Sequence, residues 1–244
     1  MRVPRVHLPA ELSTDTSVEL PEDTAHHVLR VLRLRDGATV RVFNGEAGDW
    51  IGRLRTHGKR GASVAIERFE PRATESNLAI TLVQGISRGQ RMDYTLEKSV
   101  ELGVVRIIPV VMERTQAAPA GERVTKKARH WAGVLAAATA QSGRTQRPDL
   151  EDQVEFREWL DRTDCNAHPH VLLDPQADAS PHALGSPTAL TLIAGPEGGF
   201  SPTERDAAYA AGCGGIRLGP RILRTETAAV AALAVLQALY GDLR

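Results

Sequence analysis

Two glycine-rich loops near the C-terminus hold the residues of this chain whose types and spacing are best suited to chemistry. The first is Gly195-Pro196-Glu197-Gly198-Gly199, directly after the apolar run 190–194, and the second spans 218–227 and contains Gly219, Arg221, Arg224 and Glu226. Glycine permits positive φ and lets a ligand approach main-chain polar groups closely. In open α/β sheets, ligands bind just beyond the carboxyl ends of strands. The sequence therefore predicts a ligand site beside two carboxylates and two arginines.

Neither loop matches a common nucleotide-binding motif. No Gly-Lys-Ser/Thr follows at the Walker A spacing, and residues 195–199 lack the G-x-G-x-x-G pattern of dinucleotide sites. Gly-Pro and Gly-Gly also occur in ordinary turns, so the glycines alone do not identify a ligand. Nucleoside triphosphate and nicotinamide ligands are therefore not expected.

The charged residues are unevenly distributed along the chain. Lys and Arg equal Asp and Glu overall, but residues 1–147 carry 23 basic against 16 acidic side chains, and residues 148–244 carry 7 against 14. Basic surface concentrated in one part of a chain is typical of nucleic-acid binding. The alternative is a solvated surface whose asymmetry has no function.

Composition argues against a membrane protein and against a metal site. No run approaches the roughly 18–20 apolar residues that cross a bilayer, and the N-terminus lacks the apolar core of a signal peptide. Cys165 and Cys213 lack ligand spacing, and the histidines at 168, 170 and 182 do not complete a metal site. We expect a cytoplasmic protein with reduced thiols, no metal and no membrane partner.

Two domains are predicted, 1–72 and 73–244. The first is β-rich, with strands at 38–43, 50–55 and 62–69 and an Asn44-Gly45 hairpin signal. In the second, strands at 78–83, 105–110, 171–173, 189–194 and 215–218 alternate with helices at 89–102, 123–141, 202–211 and 226–240. This alternation predicts an α/β fold with a mostly parallel sheet and helices on both faces. Ser201 and Glu204 are predicted to form a capping box, and Thr225 or Thr227 is predicted to cap the last helix.

With these residues in view, the chain resembles the SPOUT-class methyltransferases that modify N3 of a uridine in 16S ribosomal RNA. The resemblance spans nearly the whole chain and includes Ser87-Arg88-Gly89 and the segments 27–33, 97–104 and 141–144. It is strongest in the two C-terminal loops, above all in 218–228.

The resemblance implies a fold, a cofactor and partners. Residues 1–72 would be a PUA-like β-barrel that binds RNA, and residues 73–244 a SPOUT α/β methyltransferase domain with a trefoil knot, a topology that is rare in proteins. The cofactor would be S-adenosylmethionine. The active unit would be a homodimer, and the substrate 16S rRNA within the 30S subunit or a late assembly intermediate.

By the same resemblance, three stretches would hold the cofactor. Glu197 would bind the ribose, with an interaction at the next helix N-terminus as its alternative role, and Ile222 and Leu223 would pack on the adenine. The implied cofactor residues are Leu172, Leu173, Asp174, Gly195, Pro196, Glu197, Gly198, Gly199, Leu218, Gly219, Ile222 and Leu223.

Methyl transfer to uracil N3 requires loss of the imide proton and stabilisation of negative charge on the base oxygens. Arg221 and Arg224 are the predicted groups for those oxygens or for a flanking phosphate. Glu226 is the nearest carboxylate in sequence. Its two candidate roles are general base and a carboxylate that fixes Arg224.

Arginines and lysines of both domains are predicted to contact RNA phosphates, because a guanidinium fork matches phosphate oxygens. They are Arg30, Arg33, Arg35, Lys59, Arg60, Arg88, Arg91 and Arg144. Two alternatives remain at this point. One is another SPOUT enzyme that methylates the ribose 2′-O of rRNA or tRNA, and the other is a non-catalytic RNA-binding assembly factor.

Overall fold

The computed structural model describes residues 3–58, 61–116 and 118–243. The chain divides into two compact units, one of residues 1–75 with 139–147 and the other of residues 76–138 with 148–244. The predicted boundary after residue 72 lies close to this division. Nothing in the sequence assigned residues 139–147 to the first unit.

The first unit contains a five-stranded sheet with the order β1-β3-β4-β5-β2. Strands β1 and β3 are parallel, and the other neighbours are antiparallel. Alternate residues such as Val40, Val42 and Val64 are fully buried in its core. The strands are β1 (Arg5–His7), β2 (Ser17–Glu19), β3 (Thr39–Phe43), β4 (Gly48–His57) and β5 (Gly61–Pro71).

A short helix, α1 (Glu22–His26), continues into a π-helical turn, His27–Val31. Ala25 and Val28 face the core of the unit, while the arginines at 30, 33 and 35 are exposed. Arg33 has a φ of 52°, in the left-handed region that side chains other than glycine rarely adopt. This short helical segment therefore ends in an exposed basic turn.

A buried arginine ties residues 139–147 to the first unit. The Arg5 guanidinium donates to the Asp49 carboxylate at 2.6 Å and to the carbonyl oxygens of Thr139 at 3.2 Å and Arg144 at 2.9 Å. Asp49 is completely buried. Removing either partner of such a pair leaves an uncompensated buried charge, so the two side chains depend on each other.

The second unit is built on a parallel sheet with the order β12-β10-β11-β6-β7-β8, and β9 also pairs with β7. Its strands are β6 (Ala79–Gly85), β7 (Val104–Val111), β8 (Asp149–Leu150), β9 (Val154–Glu155), β10 (His170–Leu173), β11 (Ala189–Ala194) and β12 (Gly214–Ile216). Its helices are α2 (Gln90–Glu101), α3 (Glu122–Ser142), α4 (Phe156–Asp161), α5 (Pro202–Ala210) and α6 (Thr225–Tyr240), of which α3 ends in residues assigned to the first unit. A 3₁₀ turn, Pro181–Leu184, precedes β11.

The sheet separates two apolar cores, because successive side chains of a strand point to opposite faces. Leu82 and Leu192 pack with α2, α3 and α6 on one face. Their neighbours Val83 and Ile193 pack with α4 and α5 on the other. The predicted parallel sheet with helices on both faces is confirmed. The short elements β8, β9 and α4 were not predicted.

Helix α5 begins as the sequence predicts, and α6 does not. Ser201 and Glu204 form the reciprocal capping box. At α6 the N-cap residue is Arg224, and no side chain caps the helix, so the prediction that Thr225 or Thr227 does so is wrong. The Thr225 hydroxyl donates instead to the Gly195 carbonyl at 2.6 Å. None of the helices in the described ranges has the length and apolar character needed to span a membrane.

Candidate cofactor and catalytic site

A cavity of about 600 Å³ lies where the strands β12, β10 and β11 end. These three strands are parallel neighbours, so Ile216, Leu173 and Ala194 bring the loops that follow them together. Both glycine-rich loops line the cavity, and so do Arg221, Arg224 and Glu226. The structure therefore gathers the residues that the sequence singled out at one edge of the sheet.

One implied cofactor residue lies elsewhere. Leu172 is fully buried in the core that includes Val83 and Ile193, while its neighbour Leu173 lines the cavity. The two leucines occupy opposite faces of β10, as the pleat requires. The other eleven implied residues line the cavity. Leu172 is corrected to a core residue.

The two loops are joined by hydrogen bonds that the sequence did not predict. Gln84, at the end of β6, is completely buried and donates to the carbonyl of Gly85 at 2.9 Å and to the Thr225 hydroxyl at 3.3 Å. Thr225 in turn donates to Gly195. The only signal in the sequence is a polar residue at the end of the apolar run 78–83. Gln84 and Thr225 thus hold the first loop against the start of α6.

Gly219 and Gly198 lack side chains for different reasons. Gly219 has a φ of 94°, and a Cβ atom there would meet nothing within 4 Å, so this backbone borders open space. Gly198 is outside the left-handed region, but a Cβ atom there would lie 2.7 Å from the Cβ of Arg114. Gly219 therefore leaves room in the cavity, and Gly198 leaves room for a neighbouring side chain.

Glu197 is held in its ionised form at the cavity wall. One oxygen, Oε1, accepts from the Arg88 backbone N–H at 2.8 Å and from Arg91 Nη1 at 3.1 Å. Burial acts to raise the pKa of Glu197, but hydrogen bonds from two backbone N–H groups and the Arg91 guanidinium outweigh it, and the pKa is lowered. Among the described residues the other oxygen, Oε2, is buried without a hydrogen-bond partner. Glu197 thus offers an unused acceptor.

Glu226 is the second carboxylate at the cavity. Its Oε1 lies 3.9 Å from Arg91 Nε, and its Oε2 is buried with no hydrogen-bond partner in the described part of the chain. Arg91 thus lies between Glu197 and Glu226. The ion pair of Glu226 is with Arg91, and among the described residues no ion pair joins Glu226 to Arg224.

Asp174 lines the cavity, but both of its carboxylate oxygens are already occupied. One accepts from the Gln176 backbone N–H at 2.9 Å and the other from the Tyr209 hydroxyl at 2.7 Å. Burial, together with this contact to Asp174, raises the pKa of Tyr209 to about 12. Asp174 therefore fixes the loop after β10, and Tyr209 is a positioning residue that the sequence did not reveal.

The second loop presents basic and apolar side chains to solvent. Arg221 and Arg224 are exposed, and among the described residues neither forms an ion pair. Ile222 between them is 87% exposed, while Leu223 is half-buried. A large exposed apolar side chain beside two unpaired arginines is typical of a binding surface.

The predicted RNA ligands differ in accessibility. Arg30, Arg33, Arg35 and Arg88 are exposed, and Arg91 is also exposed but forms an ion pair with Glu197. Lys59 and Arg60 lie outside the described residues. Arg144 is 5% exposed, and its Nε donates to Glu75 at 2.9 Å. A buried, paired guanidinium does not reach a phosphate, so Arg144 is corrected to a structural residue of the first unit.

The described residues contain no group of three or more His, Cys, Asp and Glu side chains arranged for a metal ion. The two cysteines, far apart in sequence, are buried with their Sγ atoms 3.3 Å apart as free thiols. Burial and the neighbouring thiol raise the pKa of Cys213 to about 12, so it is a poor nucleophile.

The parallel sheet, the cavity at its carboxyl edge and the separate β-rich unit define an α/β methyltransferase with a PUA domain. Residues 74–237 match the family of RNA methyltransferase domains, and residues 20–67 match the RNA methyltransferase PUA domain. The chain belongs to the RNA methyltransferase family. This confirms the resemblance from the sequence and the predicted combination of a PUA-like and an α/β methyltransferase domain.

Individual relatives agree with this assignment over their full length. A ribosomal RNA small subunit methyltransferase E from Neisseria gonorrhoeae, solved bound to S-adenosylmethionine, shares 37% identity with a TM-score of 0.92 and 100% coverage of both chains. A Legionella pneumophila protein solved with the same cofactor shares 36% identity with a TM-score of 0.95, again over 100% of both chains. A ribosomal RNA small subunit methyltransferase E from Buchnera aphidicola is 30% identical over 99% of this chain and 98% of its own.

Proposed function

We propose that this protein transfers a methyl group from S-adenosylmethionine to N3 of a specific uridine in 16S ribosomal RNA. The observation that carries the proposal is that both glycine loops meet at one cavity edge with Arg221 and Arg224, which form no ion pair among the described residues, and with two carboxylates that each have an oxygen without a described partner. The names of the full-length relatives from Neisseria and Buchnera support the same activity.

The residues of the cavity fit the cofactor. Its volume of about 600 Å³ is within the usual range for small-molecule sites. Leu173, Leu218 and Leu223 offer an apolar slot for the adenine, and Glu197 Oε2 is an acceptor for a ribose hydroxyl. When bound, S-adenosylmethionine supplies an electrophilic methyl group whose sulfonium leaves without acid assistance.

The chain's own residues have three tasks in the reaction. They place the uracil, remove the N3 proton and stabilise negative charge on the base oxygens. Arg221 and Arg224 are exposed donors for those oxygens, and charge-assisted hydrogen bonds of this type are stronger than neutral ones. Glu226 Oε2 is a buried acceptor without a competing donor among the described residues, which suits it to accept the proton.

Single-turnover methylation of small ribosomal subunits tests the catalytic assignment. Arg224→Ala should lower the rate of methyl transfer about 10²-fold at saturating RNA, the usual loss when one oxyanion donor is removed. Glu226→Gln should lower it by about 10² or more. S-adenosylmethionine affinity, measured by calorimetry, should change little in both. Arg162→Ala is the control, because that exposed arginine pairs with Glu158 and does not line the cavity.

Mapping the methyl group in the product distinguishes the proposal from its alternatives. N3-methyluridine supports it, and a ribose 2′-O-methyl group would assign the chain to another branch of RNA methyltransferases. Cofactor binding without turnover on any small-subunit particle would indicate an assembly factor.

We further propose that the active form is a knotted homodimer, and that its substrate is the 30S subunit or a late assembly intermediate.

A further inference from the structure

A row of basic side chains follows one exposed face of α3, in the methyltransferase unit. Arg123, Lys126 and Arg129 are all exposed, and Lys127 lies half-buried at the edge of the row. The spacing of three residues places the first three on one side of the helix. We call Arg123, Lys126 and Arg129 the α3 basic stripe.

The charges of the stripe are not compensated by ion pairs with other described residues. In the described part of the chain none of its three side chains forms an ion pair, whereas Arg157 in α4 and Arg162 directly after it each pair with an acid one turn away. The only acidic residue of α3 is Glu122. Like charges three residues apart repel each other on a helix, and Arg123 also lies in the first turn, where the helix dipole disfavours a cation. The stripe therefore opposes the stability of its own helix.

The stripe is adjacent to the helix that borders the proposed catalytic cavity. His130 Nε2 lies 2.9 Å from Asp93 Oδ1, which joins the exposed edge of α3 to α2. Arg91, one half-turn before Asp93, lines the cavity. Tyr94, next to Asp93, is 46% exposed. Proteins that bind single-stranded nucleic acid combine basic side chains along the backbone with exposed aromatic rings on which bases stack.

We propose that the α3 basic stripe is a second RNA-backbone contact, located on the methyltransferase unit and separate from the arginines of the first unit. It binds phosphates of the substrate RNA as that RNA passes over α2 towards the cavity. This inference rests on the proposed function, since it takes ribosomal RNA as the ligand.

The test replaces Arg123, Lys126 and Arg129 together with glutamine and measures two quantities with opposite expected signs. RNA affinity should fall at least about fivefold at physiological salt, and the slope of log K against log salt should decrease by about 2 units for three lost phosphate contacts. The melting temperature should rise by roughly 2 °C, because the repulsion within α3 is removed. A residue with only a structural role would not improve stability on removal while weakening RNA binding.

The matched control replaces three paired arginines of the same unit, Arg106, Arg157 and Arg162, with glutamine. It removes the same charge, but these side chains have acidic partners. The RNA salt slope of this control should stay within about half a unit of wild type, and its melting temperature should not rise. If this control lost as much RNA affinity as the stripe variant, the loss would come from the change in net charge. The proposal that the α3 basic stripe binds RNA would then be refuted.

Both variants are measured on protein-free 16S ribosomal RNA and on small ribosomal subunits. Unchanged RNA affinity and salt slope in the stripe variant would overturn the proposal that the α3 basic stripe binds RNA. The proposed function would stand if this variant still methylates the RNA. A loss confined to particles, with normal binding to protein-free RNA, also overturns the stripe proposal, because the contact would then be to a ribosomal protein. If the wild-type protein binds RNA but transfers no methyl group, the proposed function is contradicted. The comparison of RNA affinities would still show whether the α3 basic stripe contacts RNA.

Discussion

At the scale of single residues, Gly219 combines two constraints that a side chain would violate. Its φ of 94° is unfavourable for any residue with a Cβ atom, and its missing side chain borders the open cavity. Gly219→Val should therefore lower S-adenosylmethionine affinity by at least about tenfold, or about 1.4 kcal/mol, as measured by calorimetry on folded protein.

Gly37→Val is the matched control for this change. Gly37 has a φ of 77° and also open space where a Cβ atom would stand, but it lies in a turn of the first unit. Both variants should lose about 1–3 kcal/mol of folding free energy through backbone strain. Only Gly219→Val should lose the cofactor, and equal cofactor affinity in the two variants would contradict the assignment of the second loop.

The lowered pKa of Glu197 makes a prediction about acid stability. A carboxyl group whose folded-state pKa lies below its unfolded value stabilises the protein above the unfolded pKa, and this contribution is lost as pH falls towards the folded pKa. Glu197→Gln should therefore destabilise the protein at pH 7, and the difference from wild type should shrink as the pH falls below about 4.5.

Urea unfolding of both proteins across this pH range measures the effect. Glu158→Gln serves as the control, because that glutamate is exposed on α4 and, among the described residues, its ion pair is with Arg162. A constant difference between wild type and Glu197→Gln from neutral to acidic pH would show that the carboxylate is not held ionised by its two backbone donors and Arg91.

Residue types and spacing were sufficient to predict most of the cavity lining, because ligand loops follow strand ends in this kind of sheet. They were insufficient where a shift of one residue along a strand decides whether a side chain faces the core or the cavity. Leu172 and Leu173 look alike in sequence, and only the pleat assigns them to core and cavity. Arg144 pairs with Glu75, which lies 69 residues away, and no local pattern announces such a partner.

At the scale of elements, packing in the core of the second unit accounts for part of the apolar composition of α6. Ala229, Leu233 and Leu236 are buried in the core of the second unit. On the opposite side, Val235 remains 37% exposed, with Ala231 half-buried and Ala238 exposed nearby. This uncharged outer face is the surface we expect the proposed homodimer to bury.

Val235→Glu should convert the protein to a monomer at micromolar concentration in sedimentation experiments, because a charge would be buried at the interface without a partner. Val31→Glu is the control, since Val31 is 60% exposed on the first unit and is not part of α6. A wild-type monomer, or a Val235→Glu dimer as stable as wild type, would contradict the role of this face.

The long elements of the second unit were predictable, and the short ones were not. Apolar periodicity and the capping box located the long helices and strands to within two residues at most boundaries. The strands β8 and β9 have two residues each, too few for any period to show. Thr225 was predicted as a cap from its type alone. Its hydroxyl donates across the cavity edge to the carbonyl of Gly195, 30 residues away, and no local sequence pattern reveals so distant a partner.

At the scale of the whole molecule, the excess of basic residues in the first 147 positions should affect RNA binding and not cofactor binding. Replacing Arg30, Arg33 and Arg35 together with glutamine should weaken RNA binding and decrease the slope of log K against log salt by about 2 units. S-adenosylmethionine affinity should stay unchanged, because these exposed arginines do not line the cavity.

The control replaces Arg53, Arg55 and Arg68, which pair with acidic side chains of the same unit. Filter binding at several salt concentrations and calorimetry with the cofactor provide the two measurements. If both triple variants reduced the salt slope equally, the exposed turn after α1 would have no particular role in RNA binding.

The contacts of Arg5 bear on the order in which the chain becomes native during synthesis. Its carbonyl partners at Thr139 and Arg144 are 134 and 139 residues further along the chain. During translation, the ribosome synthesises the five strands of the first unit well before it synthesises Thr139 and Arg144, whose carbonyls Arg5 needs. We therefore expect the first unit to emerge with Arg5 paired to Asp49 but without its carbonyl partners, and to complete its structure after a large part of the second unit has been made. A gene fragment that stops near residue 75 encodes the sheet without the segment that finishes it.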